Sequence, residues 1–167
     1  MSEKEERITN EIKKIVAELN MQPHPEGGYY VETYRSPMEI PGKDRQLMTS
    51  IYFLLTSDNV SNFHRIKSDE LWFHHAGSPI TVHLLNEEQG HVEIKVGSNV
   101  LNGEHPQALV KGGEIFGSSV DVENSYALVS CVVAPGFDFQ DFELFKRVDL
   151  VSQFPNHHEI ITRLTAE

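Results

Sequence analysis

Between Tyr29 and Arg147 the chain divides into about ten short strand-like segments with no helical stretch between them, and this pattern constrains the fold most. The segments are Tyr29–Tyr34, Leu47–Leu55, Val60–Ile66, Glu70–His75, Ile80–Asn86, His91–Val96, Gln107–Val110, Ile115–Val120, Tyr126–Ala134 and Phe139–Lys146. Clusters of Gly, Asn, Asp and Pro separate them. Many short strands without interleaved helices indicate an all-β sandwich or jelly-roll barrel.

Helical spacing resumes only at the two ends. Ile8, Ile12, Ile15, Val16 and Leu19 recur at helical intervals behind Ser2 and Glu5, which have capping-box spacing. Asn20 can close this helix in the left-handed conformation, and Pro23 prevents its continuation. Beyond Arg147, Asn156 and Glu159 resemble a second capping box ahead of Ile160, Ile161 and Leu164. A length of 167 residues suits one core. The expected organisation is a single domain: a helix over 1–20, a barrel over 29–147 and a C-terminal helical segment over 148–167.

Composition narrows the partners. A net charge of −11, from 14 basic and 25 acidic residues, argues against nucleic-acid binding. No apolar run approaches the ~18 residues of a membrane span. The charged start, Met1–Arg7, leads into no apolar signal region, and the single cysteine, Cys131, cannot form an internal disulfide. A cytoplasmic location is expected. Cys131 itself reads as a buried, inert thiol.

The stretch Asn62–Gly77, NFHRIKSDELWFHHAG, carries the chemistry. Read as a hairpin turning at Lys67–Asp69, it sets Ile66 opposite Glu70, His64 opposite Trp72 and Asn62 opposite His74, all on one face. An imidazole and a carboxylate on a core-facing surface are costly unless paired or wet, so this face suggests a lined cavity. The alternative is a polar face turned to solvent, against which stands the bulk of Trp72. The PHPEGGYY segment (Pro23–Tyr30) reads equally as a structural turn or as a way of bringing Glu26, Tyr29 or Tyr30 to a barrel mouth. His75, His83, His91, His105, His157 and His158 are expected at the surface or in supporting positions. Neither a phosphate loop nor a Gly-x-Ser-x-Gly elbow is present.

His64, Glu70 and Gly77 keep the spacing of a cupin first motif, with Ile66 in the place of its second histidine. More specifically, the chain resembles an uncharacterised cupin family marked by PHPEGGYYVETYRS (Pro23–Ser36), TSIYFLL followed by FHRIKSDELW (Thr49–Trp72) and APGFDFQDFELFKR (Ala134–Arg147). The resemblance implies a double-stranded β-helix, or jelly-roll barrel, and a homodimer. Within cupins it looks most like the metal-free sugar-nucleotide epimerase and isomerase branch. The second cupin motif survives best at Lys111–Phe116, with Phe116 where the fourth ligand histidine belongs. Two of four ligand positions are thus apolar, and no stoichiometric metal or other cofactor is expected. His74 could complete a set only with strain, since four strand residues span ~13 Å.

A metal-independent isomerase or epimerase acting on a small polar, sugar-like molecule is the first functional expectation. His64 would be the base, Glu70 would orient it and raise its pKa, and Tyr52 or Tyr30 would donate the balancing proton. Trp72 would stack on the ligand, with His74, Tyr30 and Glu26 beside it. The alternatives are a metal-dependent cupin, dioxygenase or isomerase, using His64, Glu70 and His74, and a non-catalytic small-molecule sensor.

Overall fold

A computed structural model describes all residues from Met1 to Glu167. Helix α1, Glu3–Glu18, begins on the capping box: Ser2 accepts from the Glu5 N–H, and the Glu5 carboxyl accepts from the Ser2 N–H. Asn20 has φ 54, the left-handed turn that ends the helix. Eleven strands follow: β1 Gln22–Pro23, β2 Tyr29–Arg35, β3 Thr49–Thr56, β4 Val60–Arg65, β5 Asp69–Gly77, β6 Ile80–Asn86, β7 Gly90–Val96, β8 Gln107–Val110, β9 Ile115–Ser119, β10 Tyr126–Ala134 and β11 Glu143–Leu144. Helices α2, Arg147–Gln153, and α3, His158–Arg163, close the chain. No helix is long and apolar enough to cross a membrane.

The strands form two antiparallel sheets, in the orders β1-β2-β3-β10-β5-β8 and β11-β4-β9-β6-β7. Alternation along each strand supplies three hydrophobic layers. Phe53, Leu55, Trp72, Val82, Phe116 and Val129 fill the space between the sheets. Leu54 and Tyr126 face outward under α1, with Ile8, Ile12 and Ile15. Phe63, Leu85 and Ile115 face outward on the second sheet, under Leu150, Phe154 and Ile161. The helices are therefore covers, each burying the outer face of one sheet.

Three expected features are corrected. The Asn62–Gly77 stretch is not a hairpin: β4 pairs with β9 and β11, whereas β5 pairs with β10 and β8. Ile66–Ser68 carries the chain from one sheet to the other. Alternation gives the same inward set in either geometry, so the sequence pattern could not separate them. Phe139–Lys146 is mostly not strand. Phe139–Asp141 forms a 3-10 turn capped by Asp138, which accepts from the Gln140 N–H at 2.8 Å, and only Glu143–Leu144 pairs. The second capping box does not form, because Pro155 opens a 3-10 turn and α3 starts after His157 without a side-chain cap.

Gly27 and Gly28 are required where they stand. Their φ values are 113 and 80, and a Cβ on Gly27 would fall 2.0 Å from the Val60 carbonyl oxygen. Gly27→Ala should destabilise the protein by at least about 1 kcal/mol in urea unfolding.

Candidate functional site

At one end of the barrel, a cavity of about 500 Å³ opens between the sheets. Its walls come from the β1–β2 region (His24, Glu26, Tyr30, Arg35), from β4 and the crossover (His64, Ile66), from β5 and β10 (Glu70, Cys131), and from the loop after β10 (Phe137, Phe139, Phe142).

His64 sits on the second sheet. Its Nδ1 lies 2.7 Å from the Asn62 carbonyl oxygen, an acceptor only, so Nδ1 carries the proton and Nε2 keeps a lone pair. The ring is wedged between Phe116, with centroids 4.2 Å apart, and Phe142, stacked at 5.4 Å. Burial holds its pKa below the ordinary histidine value, although the bond to Asn62 works the other way. His64 is therefore neutral at neutral pH, with the Nε2 lone pair open to take a proton.

Glu70 sits on the first sheet, 8% exposed. Burial pushes its carboxyl up from 4.5 to about 7, against a hydrogen bond from the Cys131 thiol, with Glu26 adding a further upward push. The thiol is raised well above its usual range, first by burial and then by Glu70, so Cys131 stays protonated. Glu70 does not orient His64, as the hairpin would have required. The two residues project from different sheets, and packed sheets lie ~10 Å apart rather than the ~5 Å of paired strands. The Asn62 carbonyl takes the orienting role.

Glu26 is 2% exposed and its two carboxyl oxygens have no well-formed hydrogen bond. The near group is His24, whose Nδ1 lies 2.5 Å from Oε2. The same Nδ1 accepts from the Glu26 backbone N–H at 3.2 Å. Tyr30 packs edge-on against the His24 ring at 4.8 Å. At the mouth, Arg35 donates to Glu32 at 2.7 Å and to the Phe137 carbonyl at 3.3 Å, tying β2 to the aromatic loop. Arg45 holds the same loop through Asp141, at 2.8 Å.

Of the residues expected at the site, the cavity brings together His64, Glu70, Glu26 and Tyr30. Tyr52 lies elsewhere. It belongs to the layer under α1 and meets His75 edge-on on the outer face, so it cannot serve the cavity as an acid. Trp72 faces inward but deeper, 3% exposed between Phe53 and Phe116. His74 also lies off the cavity lining, with Nε2 3.0 Å from the Ser78 carbonyl oxygen. A β-bulge at this point leaves His75 outside the register and on the outer face, beside Ser130. His24, Arg35 and the Phe137–Phe142 aromatics were not expected. His24 and Glu26 meet because the chain turns between them, with the Gly27 N–H donating to the His24 carbonyl at 3.1 Å, and no periodic pattern marks such a turn.

The cavity does not fit the metal set of a cupin. Ile66 and Phe116 stand in two ligand positions and have no lone pair to give. The one group of three His, Cys, Asp or Glu side chains with ligand atoms within 4.8 Å of one another is His83, His91 and Glu93, which is outside the cavity.

The family described as Cupin superfamily (DUF985) matches residues 13–145. An uncharacterised yeast protein, YML079W of Saccharomyces cerevisiae, is 32% identical over 157 residues, covering 83% of this chain and 77% of that one. A hypothetical protein from Leishmania major superposes with a TM-score of 0.86 at 38% identity, over 93% of this chain and 98% of that one. Protein SO0799 from Shewanella oneidensis gives 0.87 at 39%, over 92% and 96%. Oxalate decarboxylase from Bacillus subtilis shares the fold alone, with a TM-score of 0.55 at 17% identity over 85% of this chain and 36% of that one. The two-sheet barrel, the spacing of His64, Glu70 and Gly77, and the match across 13–145 agree: this chain belongs to the cupin superfamily, in the family described as DUF985.

Proposed function

We propose that the cavity binds a small polar metabolite and isomerises or epimerises it by proton transfer without a metal. One observation carries this reading: a neutral imidazole with a free Nε2 and a carboxyl whose pKa is raised to about 7 enter one cavity from opposite sheets. Inversion at a carbon next to a carbonyl needs that arrangement. His64 Nε2 takes the C–H proton from one face, the electron pair moves into the carbonyl to give an enol or enolate, and Glu70 returns a proton to the other face. Tyr30 and the Glu26–His24 pair are placed to hold polar substituents. Phe137, Phe139 and Phe142 offer an apolar wall to the flat side of a sugar-like ring. The donor set argues against the metal-dependent alternative.

The test begins with native mass spectrometry of the purified protein to identify a retained ligand. Ligand and related carbonyl sugars are then incubated with protein in D2O. Deuterium should enter at the inverting carbon, and His64→Gln should slow its entry at least ~100-fold. Tight binding with no exchange would leave a sensor and overturn the catalytic reading.

A homodimer is part of the proposal. Beyond Tyr30, the outer edge of β2 has no strand neighbour, and such an edge favours pairing with a second copy. Sedimentation at micromolar concentration should show twice the 19.0 kDa chain mass; a monomer alone would contradict it.

A further inference from the structure

The outer face of the second sheet holds a second cluster that the cavity does not use. His83 on β6 stands opposite Glu93 on β7, and His91 lies diagonally beside them. His83 is 1% exposed. His83 Nδ1 is 2.9 Å from His91 Nε2, and Glu93 Oε1 is 3.7 Å from the first and 3.9 Å from the second.

The protonation of His83 is set from behind. Asp121 accepts from Arg163 at 2.8 Å, from Thr81 at 3.1 Å and from the Ser119 hydroxyl at 2.9 Å. The Ser119 proton is thereby committed to Asp121, so its oxygen accepts from His83 Nε2–H at 2.8 Å. That leaves the His83 Nδ1 lone pair aimed at the space shared with His91 and Glu93. An imidazole with one nitrogen tied through a hydroxyl to a carboxylate and the other left as an acceptor is the arrangement found behind metal-ligating histidines. Burial, helped by His91, also keeps the ring neutral, pushing its pKa down to about 4.

The geometry points to a divalent transition-metal site, fitted to Zn2+, formed by His83 Nδ1, His91 Nε2 and a Glu93 oxygen. A triangle with the three measured sides has a circumradius of about 2.1 Å, which matches Zn–N and Zn–O bond lengths, so an ion in the plane of the three atoms is at bonding distance from all of them, and a tetrahedral ion requires the two near-coplanar rings, now end-on to one another, to turn apart. Two nitrogens and one carboxylate oxygen suit zinc, and a fourth position remains open. His157 stands nearby, its ring centroid 6.2 Å from that of His91, but its nitrogens lie outside the group of mutually close ligand atoms, so the fourth position falls to water. Without the ion, His91 Nε2–H donates to His83 Nδ1, and the metal takes the place of that proton.

Calorimetric titration of Zn2+ into chelator-treated protein without an affinity tag tests the site, with Co2+ as a spectroscopic probe of tetrahedral geometry. About one ion per chain is expected, with the melting temperature raised by roughly 5–10 °C at a hundredfold excess over the dissociation constant. His91→Gln and Glu93→Gln, both at accessible positions, should each weaken binding at least ~10-fold, whereas His64→Ala should bind as wild type. Absence of stoichiometric binding, binding unchanged in His91→Gln, or binding lost in His64→Ala would each overturn the assignment.

Discussion

Glu70→Gln is expected to stabilise the protein at alkaline pH and to leave it nearly unchanged at acid pH. In the folded chain the Glu70 carboxyl is raised from 4.5 to about 7, so folding tightens its hold on the proton. The stability this lends is complete below pH 4.5 and is lost as pH rises through 7. At ~1.4 kcal/mol for each tenfold change in proton affinity, ionising the buried group costs about 3 kcal/mol. Glutamine keeps the shape and a neutral amide and has no charge to bury. Urea unfolding should give matching midpoints for the two proteins near pH 4, with the variant about 2–3 kcal/mol more stable near pH 9. An unchanging difference between pH 4 and 9 would mean that Glu70 is solvated and that its proton is not held by the fold.

Trp72→Ala should cost about 3–5 kcal/mol in folding stability, an effect of packing before it is one of binding. The indole is 3% exposed and meets Phe53 and Phe116 edge-on, with centroids 6.1 and 6.4 Å away. Phe116 in turn supports the His64 ring, so the void would also loosen the wall behind the base. Trp72→Phe separates volume from polarity. The indole Nε1–H is buried with no acceptor, a burden of about 1–3 kcal/mol, and phenylalanine removes it along with part of the volume. The phenylalanine variant should therefore lose no more than about 1.5 kcal/mol. His75→Ala, at an exposed outer position, should change stability by about 0.5 kcal/mol or less. Chemical unfolding of the three variants checks the order, and a Trp72→Ala protein as stable as wild type would remove Trp72 from the core.

The strands and α1 were readable because two-residue and helical periods are local. The limits of β6, Ile80–Asn86, and β10, Tyr126–Ala134, follow directly from apolar runs bounded by Gly, Asp and Pro. Strand pairing was not readable. Adjacent segments such as β4 and β5 look like a hairpin in sequence, and only the crossover at Ile66–Ser68 shows that they face each other across the barrel. The same ambiguity explains the site. Inward residues could be sorted from outward ones, so His64, Glu70 and Trp72 were placed on one face, but depth along the barrel decides which of them line the cavity. Glu70 does; Trp72, two residues further on, is core. Tyr52 went astray because β3 is buried on both faces, leaving no polar alternation to show its direction. His24 depends on the path of a turn, Arg35 on a loop that folds back over the end of β2, and the His83–His91–Glu93 cluster on strands joined by a turn whose register no local pattern specified.

The central claim is that His64 and Glu70 are poised in opposite protonation roles within one cavity. NMR titration of 13C-carboxyl-labelled and 15N-imidazole-labelled protein measures both groups directly. Glu70 should titrate near pH 7, and His64 should show the Nδ1–H tautomer and stay neutral below its ordinary 6.5. A Glu70 carboxyl titrating near the usual ~4.3, or a His64 ring that charges at or above ~6.5, would contradict it.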